Sequence, residues 1–153
     1  MPSTLTNKPL IYGDLLISIV GNIASGKTTL ALKLSAATGI KYMEVNNLSN
    51  HKGNLILESS GIGYKYTEAQ QAFKQILTVL CAISEEETIK RLEQRERNGY
   101  QYPVNRVKPL AFYKSYKNIK IRHDIQFDHE HETIDRILNV IKHITTKKGG
   151  GGV

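Results

Sequence analysis

The octapeptide Gly21-Asn22-Ile23-Ala24-Ser25-Gly26-Lys27-Thr28 constrains this chain more than any other segment. It fits the pattern G-x-x-x-x-G-K-[ST] at every fixed position. Its flanks add to the constraint. Leu15-Leu16-Ile17-Ser18-Ile19-Val20, bounded by Gly13-Asp14 and Gly21, is a short apolar run and predicts a fully buried parallel strand. Lys27 to Thr38 predicts a helix with Leu30, Leu34 and Ala37 on one face, closed by Gly39 as its C-terminal cap. A strand that turns through glycines into a helix aims successive backbone N–H groups, and the positive end of the helix, at one point. The glycines let the main chain approach a ligand where a Cβ would clash. Residues Gly21, Asn22, Ile23, Ala24, Ser25, Gly26, Lys27, Thr28 and Thr29 are therefore the candidate cradle for a chain of phosphates. Lys27 carries the charge for the β and γ phosphates, and the Thr28 hydroxyl is a candidate Mg²⁺ ligand.

Downstream, apolar runs alternate with helical patterns. Strands are predicted at Ile40 to Val45, Asn54 to Glu58, Ile76 to Ile83 and Ile125 to Phe127. Helices are predicted from Thr67 to about Lys74, from Ser84 (a capping box with Glu87) to near Gly99, from Leu110 to Tyr116, and from Glu130 to Ile144. The last has Ile134, Ile137, Leu138, Ile141 and Ile144 on one face. Such alternation predicts an α/β fold, a three-layer sandwich around a parallel five-stranded sheet. Residues 11–146 are expected to form one domain, with a loose arm at 1–10 and a flexible glycine-rich tail at 147–153.

The 153 residues suffice for a single core without staples, and the lone Cys81 excludes a disulfide framework. Cys81 lies in an apolar run and is expected to be a small buried hydrophobe in a reducing, cytoplasmic setting. No apolar stretch approaches membrane-spanning length, and residues 1–10 lack the apolar core of a secretory signal. The formal charge of +7, from 21 Lys and Arg against 14 Asp and Glu, favours polyanionic partners.

Two carboxylates fall at the C-terminal ends of predicted strands, where ligands bind in open α/β sheets. Glu58 directly follows Leu55-Ile56-Leu57, so its charge needs something positive to face. Glu44 is either a proton acceptor or a solvated loop carboxylate. The helix after Ser84 carries Arg91 and Arg95 on one face and Arg97 near its end. A solvated face with an ordinary Glu87–Arg91 pair is the plainer reading; a phosphate-closing lid is the functional one. His123, His129 and His131 with Asp124 and Asp128 match no standard zinc spacing and are expected to form a polar turn. Tyr100, Tyr102, Tyr113 and Tyr116 lie among Arg106, Lys108, Lys114 and Lys117. They suit either core packing with snorkelling lysines or base stacking.

The segment Val20 to Thr29 closely resembles the phosphate loop of deoxyribonucleoside kinases, within the nucleoside and nucleotide kinase-like branch of P-loop kinases. Tyr42-Met43-Glu44-Val45, Leu57-Glu58-Ser59-Ser60, the arginine-bearing stretch Ala82 to Arg97 and the terminal Ile125 to Ile144 extend the likeness. Ser59 stands where that family carries arginine, and Val104 to Tyr116 is more similar to the post-lid region of polynucleotide 5′-hydroxyl kinases. The resemblance implies an ATP- and Mg²⁺-dependent phosphotransferase. Lys27, Glu44, Arg91 and Arg95 would then be catalytic, Arg97 would help hold the nucleotide, and Thr28 and Glu58 would place the metal. The implied acceptor is a small molecule, a nucleoside or nucleotide first. A nucleic-acid 5′ end is the alternative acceptor, and a nucleotide-binding switch or assembly ATPase is the alternative of another class. The chain has no Asn-Lys-x-Asp segment for guanine.

Overall fold

A computed structural model describes residues 11–48, 51–99, 109–129 and 133–151. The strands are β1 (Ile11–Gly21), β2 (Lys41–Glu44), β3 (His51–Lys52), β4 (Leu55–Ser59), β5 (Phe73–Cys81) and β6 (Ile125–Phe127). The helices, numbered here in chain order, are α1 (Lys27–Thr38), α2 (Tyr64–Gln70), α3 (Glu85–Arg97), α4 (Pro109–Tyr116) and α5 (Asp135–Gly151). The main sheet runs β2-β4-β1-β5-β6, every pair parallel, and the two-residue β3 pairs with the start of β1.

Alternation along β1 explains the layers. Leu15, Ile17 and Ile19 join Leu30, Ala31 and Leu34 of α1 and Ile137 and Ile141 of α5 in one core. Leu16 points the other way, into a second core with Leu55, Leu57, Ala69 of α2 and Phe73. Both faces of the central strand are thus dry, as its continuous apolar run requires. Cys81 belongs to the first core at 2% exposure, and burial pushes its thiol up to about 12. It is packing material, as its sequence surroundings imply.

Several boundaries differ from expectation. The α1 stripe is Leu30, Ala31 and Leu34, while Ala37, near the capped end of the helix, is exposed. Gly39 does cap it, at φ 75°, with its N–H donating to Ser35 O at 2.8 Å. Helix α2 begins at Tyr64 after Gly63 rather than at Thr67, whose hydroxyl donates back to Gly63 O at 3.1 Å as an ordinary helix-interior bond. Lys74 is in β5, not in a helix; pairing of Phe73 with Gly13 extends the strand, and Lys74 faces Asp14 at 3.4 Å. Ser84 caps α3 as expected, its Oγ accepting from Glu87 N at 3.0 Å. The backbone of α5 continues through the lysine–glycine segment to Gly151. The expected arm, 1–10, lies outside the described residues, as do Tyr100, Tyr102, Arg106 and Lys108.

Candidate active site

The site gathers at the C-terminal ends of β1, β2 and β4, where the chain reverses direction across the sheet. Strand β1 ends at Gly21 beside Cys81, and a Cβ at Gly21 would meet Cys81 O at 2.6 Å and Ser25 Oγ at 2.7 Å. The loop then tightens. Ala24 has φ 61°, and Gly26, which opens α1, has φ 88°. Helix α1 has no side-chain cap and no acidic residue in its first turn. Its first N–H groups are therefore left for a ligand.

Lys27 folds back over this loop. Its Nζ donates to Gly21 O at 2.9 Å and to Asn22 O at 3.0 Å. Burial lowers its pKa from the usual lysine value, and the nearby Glu58 carboxylate works against that shift. The Thr28 hydroxyl donates to Glu58 Oε1 at 2.7 Å. Spending its one proton there keeps the oxygen lone pairs free for a cation. Glu58 also accepts from the Tyr42 phenol at 2.6 Å, again on Oε1. The register pairs Glu44 directly with Glu58, which sets two carboxylates side by side at the sheet's edge. Glu44 is exposed and, among the described residues, accepts a long 3.4 Å bond from Asn47 Nδ2.

A cleft of about 360 Å³ collects Ile23 to Thr29, Glu44, Glu58 and Arg95. The expected loop, both carboxylates and one arginine thus share one cavity. The other two arginines are placed differently. Arg91 Nη1 donates to Ala24 O at 3.1 Å, and its Nε bonds Glu87 Oε1 at 3.1 Å. It is a strut between α3 and the loop, and it includes the plain helical pair anticipated from spacing. Arg97 is exposed in the last turn of α3.

Helices α3 and α4 buttress the loop from outside. Ala24 packs with Leu92 and Tyr113, and Asn22 Nδ2 donates to Tyr113 O at 3.1 Å. Tyr113 and Tyr116 are 7% and 5% exposed, so these two are core residues and offer no stacking platform. Lys117 is paired to Glu85 at 3.3 Å. Asp124 serves the strand edge: its Oδ2 accepts from Thr78 N at 2.8 Å and its own N–H donates to Thr78 O at 2.9 Å.

Two contributors went unread in the sequence. One is Tyr42, whose tie to Glu58 depends on strand register. The other is His129. Its ring stands edge-on to Phe127, centroids 4.7 Å apart at 87°, and occupies the space a Cβ at Gly26 would need. The only sequence signal was its place two residues beyond Phe127, on the line of β6. Burial lowers the pKa of His129 from 6.5, helped by Arg91 and Lys33, with the Gly26 backbone and Asp128 opposing. The folded state therefore holds a neutral imidazole where the unfolded chain binds a proton. Its contribution is complete above about pH 6.5 and is lost as pH falls through the lowered value. The fall in unfolding free energy between about pH 7 and 5 is expected to be shallower in His129→Asn than in the parent, as read by urea titrations across that range.

No protein-family model matches the chain, and no curated protein sequence matches it. Solved structures share its fold. A presumptive kinase from Chloroflexus aurantiacus aligns with a TM-score of 0.63 at 14% identity, covering 85% of this chain and 97% of that one. A sugar kinase from Janibacter gives 0.55 at 10% identity, covering 85% and 93%. A gluconokinase from Sinorhizobium meliloti gives 0.52 at 15% identity, covering 83% and 87%. At such identities the likeness establishes architecture alone: a parallel five-stranded sheet flanked by helices, shared with these three kinase structures.

Proposed function

We propose that the protein is an ATP-dependent phosphotransferase that moves the γ-phosphoryl group to a hydroxyl or phosphate oxygen of a small molecule. The observation that carries this reading is the Lys27, Thr28 and Glu58 constellation at the mouth of the glycine loop. The backbone of Gly21 to Thr29 cradles the donor phosphates, and Lys27 shifts from the loop carbonyls to the β and γ oxygens. The all-oxygen donor set of the Thr28 hydroxyl and Glu58 carboxylate fits Mg²⁺. That ion, when bound, would neutralise charge on the β and γ oxygens. In transfer, an acceptor oxygen forms a bond to Pγ as the bond from Pγ to the β–γ bridging oxygen breaks. The bridging oxygen keeps the electron pair as ADP leaves. Glu44, exposed in the same cleft, takes the acceptor proton. Arg95 faces the developing charge, while Arg91 holds the loop in shape. Arg97 closes from the end of α3 over the nucleotide.

Nucleosides and nucleotides head the acceptor class, on the likeness of the phosphate loop. Sugars and sugar acids enter through the named structural neighbours. Of the tyrosines the polynucleotide alternative calls on, Tyr113 and Tyr116 are packed inside. The test is incubation with ATP labelled at the γ position and a panel of nucleosides, nucleotides, sugars, gluconate and oligonucleotides. Label is expected on one small acceptor. Label on oligonucleotide ends alone would move the assignment to the polynucleotide class. Hydrolysis raised by a protein partner, with no acceptor labelled, would favour a switch ATPase.

A further inference from the structure

We propose that Tyr42 is the positioning residue for the carboxylate beside the metal: its phenol pins Oε1 of Glu58, so that Oε2 is the oxygen presented to the cleft. The inference rests on the phosphotransferase reading above. The strand register makes the contact. Tyr42 pairs with Ile56 across the parallel β2–β4 ladder, so Glu58, two residues on, is its diagonal neighbour on the same face. That face is the one covered by α1, whose first turn brings Thr28 to the same oxygen. The two donors, at 2.6 and 2.7 Å, meet on Oε1, while among the described residues Oε2 accepts no hydrogen bond.

A carboxylate held by one donor can still turn about its last torsion, where the rotamer wells are broad. A second donor, from a different element, removes that freedom. Tyr42 suits the task because its ring packs against the α1-face core, leaving only the hydroxyl to face the acid. Outer-shell partners of metal-facing groups commonly carry about ten- to a hundredfold in metal affinity.

The experiment measures Mn²⁺ affinity by electron paramagnetic resonance in the presence of ATP, for the parent protein and Tyr42→Phe. The variant keeps the ring and loses only the hydroxyl. Its Mn²⁺ affinity is expected to fall about tenfold, while ATP affinity without metal stays unchanged. Equal Mn²⁺ affinity in the two proteins overturns the inference and leaves the phosphotransferase reading standing. A parent protein that binds no Mn²⁺ with ATP overturns both. A second readout needs no nucleotide. The Tyr42 hydroxyl proton, identified in nuclear magnetic resonance spectra by its loss in Tyr42→Phe, is expected to exchange with water faster in Glu58→Ala. Unchanged exchange would mean the contact does not hold the phenol, and the proposal fails.

Discussion

Lys27→Ala is expected to lower phosphoryl transfer by about a hundred- to a thousandfold while the chain still folds, the size of effect seen when one preorganised donor to developing charge is removed. The ammonium is held ready by Gly21 O and Asn22 O at 2.9 and 3.0 Å. Those carbonyls hold it in place without neutralising it. Burial meanwhile makes its charge costly and lowers its pKa, with the Glu58 carboxylate opposing. A group kept charged against that pressure is stabilised further when phosphate oxygens arrive. Truncation removes two hydrogen bonds to loop carbonyls, a loss of about 1–3 kcal/mol. Turnover of the best acceptor with γ-labelled ATP, compared beside circular dichroism of the same sample, checks both halves. Parent-like turnover in the variant would falsify the phosphotransferase assignment.

The second large effect is expected at Gly26. Alanine there must adopt φ 88°, in the left-handed region, and its Cβ runs into the His129 ring. The backbone term alone is about 1–2 kcal/mol. Because the ring also packs on Phe127, it has little room to retreat. Gly26→Ala is therefore expected to lose about 2–3 kcal/mol of stability and about a hundredfold in ATP affinity, since the distorted residue opens the phosphate cradle. Removing the ring should separate the two terms. In the double variant Gly26→Ala with His129→Ala the collision is gone but the left-handed strain remains, so stability relative to His129→Ala falls by less than it does in the parent. A double-mutant cycle by urea unfolding, with calorimetry for ATP, measures this coupling. Additive losses would show that His129 does not shape the loop.

The loop, the alternation of elements and the strand-end position of Glu44 and Glu58 were legible because each is written in a short window. The glycine pattern, the apolar run Leu15 to Val20 and the cap residues Gly39 and Ser84 all act within a few positions of themselves. Ile125–Phe127 was located to the residue for the same reason. Boundaries failed where a distant partner decided them. Lys74 was expected in a helix, but pairing of Phe73 with Gly13 carries it into β5. The arginines divide along the same line. Their common face on α3 was readable from spacing, but only packing of α3 on the loop commits Arg91 to Ala24 O and leaves Arg95 at the cleft. Tyr42 and His129 were hidden for the most physical of reasons. Tyr42 meets Glu58 through ladder register, and His129 meets Gly26 across more than a hundred residues of chain.

The place of β1 in the sheet governs how the molecule can be born. This strand leaves the ribosome before every element that pairs with or covers it: its two main neighbours are β4 and β5, and part of its cover comes from Ile137 and Ile141 of α5. Parallel neighbours cannot be supplied by a hairpin, so until β4 and β5 are made β1 is an apolar ribbon without its main partners. Pairing of β1 on both edges must wait for β5, and its cover for α5, with the slow closure typical of non-local pairing. During that wait, Leu15 to Val20 is the stretch a chaperone would shield and the one through which prematurely terminated chains would clump.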